Sequence, residues 1–219
     1  MKIDLVVFDL DGTLVSSHET IYKATLHALR EVGVTNEIPR HQFMNMIGMH
    51  FEDIFREFGF KVPDFEHFLK IYKSIYFDYI NESVLFPDVK ELIGWLKEND
   101  LKIGLLTTKG QDQAELILKH FGLFNNFDGV MGRRPGIAHK PSAEPLIKLC
   151  NELDVDIGTT LIVGDSELDI NCGKNAGTYT CAVTYGYRSR EILERYNPDF
   201  LIDRLSSIEN ILINGTNFQ

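Results

Sequence analysis

The sequence predicts an α/β fold: a parallel sheet covered by helices on both faces, with an all-helical insertion after the first strand. Three observations carry this expectation. Short β-branched or apolar runs bounded by turn residues recur along the chain, segments of helical spacing separate them, and the alternation fails over one stretch only, from about His18 to Leu85.

The runs are IDLVVF near the start, LKIGLLT around Ile103, FDGVM around Val130, TTLIVG around Ile162, TYTCAVT around Ala182 and DFLI near the end. They are continuously apolar rather than alternating, as expected of strands buried on both faces. In PDVKELIGWLKEND the apolar residues Val89, Leu92, Ile93 and Leu96 fall on one helical stripe, with Pro87 near the start. In QDQAELILKHFG the stripe is Ala114, Ile117, Leu118 and Phe121, and Gly122 is the stop.

Within the insertion, ETIYKATLHALREVG carries Ile21, Ala24, Ala28, Leu29 and Val32 at helical spacing, and the aromatic-rich DFEHFLKIYKSIYFDYI has the same period. Its Phe and Tyr stripe reads as helix packing rather than a cofactor box. Pro39 and Pro63 mark turns, and Gly48 reads as either a helix stop or a close-approach position.

Composition narrows the function classes. The 219 residues are 44% hydrophobic and 25% charged, which excludes disordered and fibrous chains and leaves room for one domain with an insertion or two small domains. With 22 Lys and Arg against 32 Asp and Glu, the formal charge of -10 repels nucleic acid and anionic lipid, so neither is an expected partner. An anionic small substrate must then be drawn in by local cations or a metal. Cys150, Cys172 and Cys181 have no CxxC spacing, which suggests neither a disulfide framework nor a thiolate metal site. No run has the length of a signal or membrane segment, so a cytoplasmic location is expected, and the sequon Asn214-Gly215-Thr216 has no meaning there. Oligomeric state is not legible.

Polar clusters follow the runs. Asp9 and Asp11 come after LVVF, Thr107 and Thr108 after KIGLL, and Gly164-Asp165-Ser166 after TLIV. The carboxyl ends of parallel strands share one edge, where open α/β sheets bind ligands. Each cluster has a plainer reading alone. Asp11-Gly12 is also a turn signal, Ser166 with Asp169 is also a capping box, Thr107 and Thr108 are also β-branched strand residues, and Lys140 in HKPSAEPL is also an ordinary solvated lysine.

Taken in order, FDLDGTL, LLTTK, Lys140 in HKP, and VGDSELD make the sequence resemble the haloacid dehalogenase superfamily, whose members are mostly phosphatases. The ending YGYRSREILERYNPDFLID is similar to the phosphoglycolate phosphatase type. The resemblance implies a three-layer, Rossmann-like parallel-sheet core (residues 1–15 and 85–219) and a helical cap domain (residues 16–84). It assigns Asp9 as nucleophile and Asp11 as acid and base. It implies one Mg2+ held by Asp9, the backbone carbonyl of Asp11 and Asp165, with Asp169 near the metal or supporting Lys140. Lys140, Thr107 and Thr108 would bind the phosphoryl group, with Gly12 and Ser166 in support. GRRPGIAH departs from the family pattern, and Arg133 and Arg134 receive no role.

The implied reaction is hydrolysis of a small phosphate monoester, phosphoglycolate being the family-level substrate, through an aspartyl-phosphate. A carboxylate is ionised at neutral pH and needs no activation to attack phosphorus. Leu10 separates Asp9 from Asp11 because alternate side chains of an extended segment point the same way. A dehalogenase of the superfamily would lack the acid at Asp11, while a sugar phosphomutase shares the cap. A phospho-accepting signalling module also combines paired acids, Thr and Lys, but it is much shorter and carries its acceptor on a middle strand.

Overall fold

The structure, a computed structural model, describes residues 2–215, so Thr216 of the sequon lies outside the described residues. The chain forms two compact units, one running to Leu14 and resuming at Leu85, the other Val15–Val84. In chain order the elements are β1 (Leu5–Phe8), β2 (Val15–Ser16), α1 (His18–Glu31), α2 (Arg40–Met44), α3 (Phe51–Glu57), α4 (Phe65–Ile75), β3 (Val84–Leu85), α5 (Val89–Glu98), β4 (Lys102–Gly110), α6 (Gln111–His120), β5 (Gly129–Arg133), α7 (Glu144–Glu152), β6 (Thr160–Gly164), α8 (Glu167–Ala176), β7 (Tyr179–Val183), α9 (Arg190–Arg195), β8 (Phe200–Ile202) and α10 (Ser207–Gly215).

The larger unit holds a six-stranded sheet in the order β5-β4-β1-β6-β7-β8, with every pairing parallel. From β1 the chain winds out through β4 and β5, then returns to β6, β7 and β8 on the other side of β1. The winding reverses beside β1, and ligands of open sheets bind outside the strand ends at such a reversal. Leu5 and Val7 pack with Leu146, Leu149 and Cys150 of α7 and Cys172 of α8. Val6 and Phe8, which alternate with them, are equally buried. Both faces of β1 are therefore covered, which is why LVVF is apolar throughout.

Local signals explain α5 and α6. Val89, Leu92, Ile93 and Leu96 of α5 are all buried, as their spacing predicts. In α6, Ala114, Ile117 and Leu118 are buried, but Phe121, expected on the same stripe, is the half-buried C-cap. There Gly122 turns left-handed and the Leu123 N–H donates to the Leu118 carbonyl, closing the helix. One strand is longer than expected. β4 continues through Thr107 and Thr108 to Gly110, with a register irregularity after Leu106, so these residues lie in the strand's distorted end rather than beyond it.

The smaller unit is helical between its two ends, where β2 opens it and β3 runs across its boundary at Val84; the two strands pair with each other. β3 is a departure from the all-helical expectation at its far end. Ile21, Ala24, Ala28 and Leu29 form the buried stripe of α1, while Val32 is its half-buried cap. The aromatic-rich segment is α-helical only to Ile75 and continues as 3-10 helix to Glu82, burying Phe68, Tyr72, Tyr76 and Ile80. Phe51 contacts Phe55, Phe68 and Tyr72 at ring separations of 4.8–5.7 Å, so the stripe is packing, as read. Gly48 has a positive φ of 100° in the turns after α2.

Candidate active site

Phe8 pairs with Leu105 on one side and Val163 on the other, so the residues that follow these three strands meet at one edge. The Asp9 N–H donates to the Val163 carbonyl at 2.9 Å, fixing Asp9 beside the end of β6. Leu10 turns into the core with no exposure, and Asp9 is 8% exposed.

One ammonium organises the cluster. Lys140 Nζ donates to Asp9 Oδ1 at 2.7 Å, to Asp169 Oδ1 at 2.6 Å and to the Leu106 carbonyl at 3.0 Å. An ammonium has three N–H donors, and these contacts use them all. Asp169 in turn accepts from the Ser166 hydroxyl at 2.6 Å and the Ser166 N–H at 3.2 Å. Thus Ser166 and Asp169 cap α8, as expected, while the free side of Asp169 holds Lys140. The Thr107 hydroxyl oxygen accepts from the Lys109 N–H at 3.2 Å and is buried near the same edge. Thr108 is half-buried and stands apart from the network joining Asp9, Lys140, Asp169 and Ser166.

Carboxylate oxygens of Asp9, Asp165 and Asp169 lie within 4.8 Å of one another, and all three residues are buried. Burial pushes the Asp9 carboxyl from its ordinary 3.8 up to about 7. Lys140 opposes that rise, while Asp169 and Asp11 add to it. Asp165 is held well above the carboxylate range, first by burial and then by Asp9 and Asp169, against the opposing Tyr187 N–H and Arg188. For Lys140, burial favours the neutral amine, but Asp169 and Asp9 outweigh it and raise its pKa above the ordinary value. If all three buried carboxyls ionise, they exceed the Lys140 ammonium by two negative charges. A divalent cation of hard, oxygen-seeking character fits that donor set.

Glycines let these groups approach. Gly12 has φ 88°, and a Cβ there would come within 2.3 Å of Asp165 Oδ2. A Cβ on Gly186 would meet Asp165 Cβ at 2.2 Å and the Gly12 carbonyl oxygen at 2.6 Å. Either substitution must displace Asp165 or the loop around it.

The sequence reading missed three partners. Lys109 Nζ lies 3.1 Å from Asp11 Oδ2, with little exposure on either side chain, so the second carboxylate has its own cation. Its alternation with Thr107 along the extended end of β4 was the available signal. The others are the Tyr187 N–H, 2.6 Å from Asp165 Oδ2, and Gly186, both in the loop after β7. Arg134, left without a role, is structural: it donates to Gln111 Oε1, the Val130 carbonyl and Glu152.

The family described as haloacid dehalogenase-like hydrolase matches residues 6–183. The pyrophosphatase PpaX of Bacillus mycoides is 36% identical over 218 residues, 98% of this chain and 100% of that protein. A haloacid dehalogenase-like family hydrolase of Streptococcus pneumoniae superposes with a TM-score of 0.85 at 25% identity, covering 95% of this chain and 97% of its own. A structure described as a predicted phosphoglycolate phosphatase from Haemophilus somnus gives 0.82 at 28% identity, covering 96% and 98%. The chain belongs to the haloacid dehalogenase-like hydrolase family. It is an enzyme of the phosphatase kind within that family. Among the described residues, no helix is long and apolar enough to cross a membrane.

Proposed function

We propose that the protein is a Mg2+-dependent phosphatase that hydrolyses a small phosphorylated metabolite through an aspartyl-phosphate on Asp9. The observation that carries this reading is the gathering of Asp9, Asp165 and Asp169 at the carboxyl edge of the sheet, with the Lys140 ammonium bridging Asp9 and Asp169. The all-oxygen donor set favours Mg2+ over a softer ion. Asp9, Asp165 and the Asp11 backbone carbonyl would hold it, and when bound it offsets the charge of these groups and of the phosphoryl oxygens.

The residues divide the work as follows. An Asp9 carboxylate oxygen attacks phosphorus, the bond to the leaving oxygen breaks, and Asp11, as the acid, gives that oxygen a proton. Asp11, now a carboxylate, takes a proton from water. The water oxygen attacks the phosphorus of the aspartyl-phosphate, the bond to Asp9 breaks, and inorganic phosphate leaves. Lys140, with its donors already engaged, aims Asp9 and acts on the phosphoryl oxygens through its charge. The Thr107 hydroxyl and neighbouring backbone N–H groups bind those oxygens; Thr108, half-buried and outside the network, has the lesser part. Lys109 steadies Asp11. Residues 16–84 are, in this reading, the family's helical cap domain. A cytoplasmic location belongs to the same reading and is consistent with three free, buried cysteines.

For the substrate, the name of the PpaX relative, similar along nearly the whole chain, supports pyrophosphate as one candidate, and the description of the Haemophilus somnus structure supports phosphoglycolate as another. The test is phosphate release from pyrophosphate, phosphoglycolate, sugar phosphates, nucleotides and an aryl phosphate, with and without Mg2+. The reading expects Mg2+-dependent release from the aryl phosphate and a marked preference for one of the others. Activity unaffected by chelation contradicts the metal assignment.

A further inference from the structure

The loop after β7 belongs to none of the four motifs, yet it closes on Asp165 from several sides. The Tyr187 N–H donates to Asp165 Oδ2 at 2.6 Å. Gly186 lies so close that a Cβ would collide with Asp165. Arg188 is 6% exposed and grips Glu167 with two bonds, Nε to Oε2 at 2.9 Å and Nη2 to Oε1 at 3.2 Å. Glu167 opens α8, two residues after Asp165. The clamp therefore joins the loop that donates to Asp165 with the loop that carries it.

Arg188 is an expensive way to fill this space, because its Nη1 is buried without a hydrogen-bond partner. A buried ion pair is weak evidence for stability, and what a guanidinium fork supplies over an apolar side chain is fixed geometry. We propose that Arg188 is a positioning residue for the metal centre: by its bidentate grip on Glu167 it holds the Tyr187 N–H against Asp165 Oδ2 and so sets the direction in which that carboxylate offers its other oxygen. This rests on the reading of Asp165 as a metal ligand.

Two effects of removing Arg188 have opposite signs. Loss of a positive charge near Asp165 would by itself tighten binding of a cation, whereas loss of the clamp loosens it. The experiment is calorimetric titration of metal-free protein with Mg2+ alone, on wild type, Asp165→Asn, Arg188→Met and Arg188→Lys, with the thermal melt of each metal-free protein and kcat at saturating Mg2+. Wild type should bind Mg2+ and Asp165→Asn should not. If that contrast is absent, the ligand reading fails and this proposal fails with it. Given the contrast, Arg188→Met and Arg188→Lys should both bind Mg2+ about tenfold more weakly, as expected for a partner behind a metal ligand, with kcat largely recovered at saturation. Arg188→Met binding as tightly as wild type or tighter overturns the proposal. Arg188→Lys keeps the charge and most of the volume, so it decides the matter if Arg188→Met does not fold; wild-type affinity in Arg188→Lys also overturns it.

Discussion

Lys140 Nζ stands 2.7 Å from Asp9 Oδ1, joining residues 131 positions apart in the chain, and it holds Asp169 and the Leu106 carbonyl at the same time. This ammonium is saturated and enclosed, so its place cannot be taken by a bulkier planar cation. Lys140→Met is expected to lower kcat/KM by about 100-fold or more, and Lys140→Arg should not restore it. Wild-type activity in either variant would remove Lys140 from the reaction.

Metal binding should be linked to protons. In the metal-free protein, burial holds Asp9 at about 7 and Asp165 well above the carboxylate range, and a cation selects the ionised forms. Mg2+ affinity should therefore rise with pH through about 7, with protons released on binding below that point. Calorimetry in buffers of different ionisation enthalpy measures the release. The same shift has a stability sign: a carboxyl raised on folding favours the fold below its unfolded value, near 3.8, and that contribution is lost as pH rises through about 7. Metal-free protein should melt lower at pH 8 than at pH 5.5, and added Mg2+ should raise the melting temperature most at pH 8.

Glycine substitutions should separate site from scaffold. Gly12→Ala places a Cβ against Asp165 at a left-handed position and should cost most of the Mg2+-dependent activity. Gly94, inside α5 with open space around it, is the contrast. Gly94→Ala should leave activity unchanged and raise stability by about 0.5–1 kcal/mol. Thermal melts with phosphate-release assays check both.

Arg134 ties Gln111 at the start of α6 to Glu152 at the end of α7. Arg134→Ala should lower stability, by about 1 kcal/mol for the lost hydrogen bonds, without changing KM for the preferred substrate. A raised KM at unchanged stability would instead place Arg134 against the substrate.

Much of this architecture was legible because its signals are local. LVVF, KIGLL and TLIV announce buried parallel strands by being apolar on both faces, and the acids and hydroxyls that follow them must share an edge. Asp169 showed as a capping partner because it lies three residues from Ser166, but its bond to Lys140 spans 29 residues and has no local signature. The Tyr187 N–H was hidden for the same reason, and the alternation of Lys109 with Thr107 could not name its partner: Asp165 and Asp11 come from other strand ends. Phe121 and the stretch from Tyr76 to Glu82 departed from α-helical expectation because apolar spacing does not report where the backbone tightens or caps.

The alternatives differ in the fate of the phosphoryl group. A sugar phosphomutase would form an isomer with no net phosphate release, and a signalling module would keep its phosphoryl group without turnover. The most direct measurement is to acid-quench the enzyme during steady turnover of the preferred substrate, reduce it with borohydride and map the product by peptide mass spectrometry. The account predicts homoserine in place of aspartate at position 9 alone, absent without substrate and absent in Asp9→Asn, which should also be inactive yet folded. Sustained turnover with no modified Asp9 peptide, or full activity in Asp9→Asn, would contradict it.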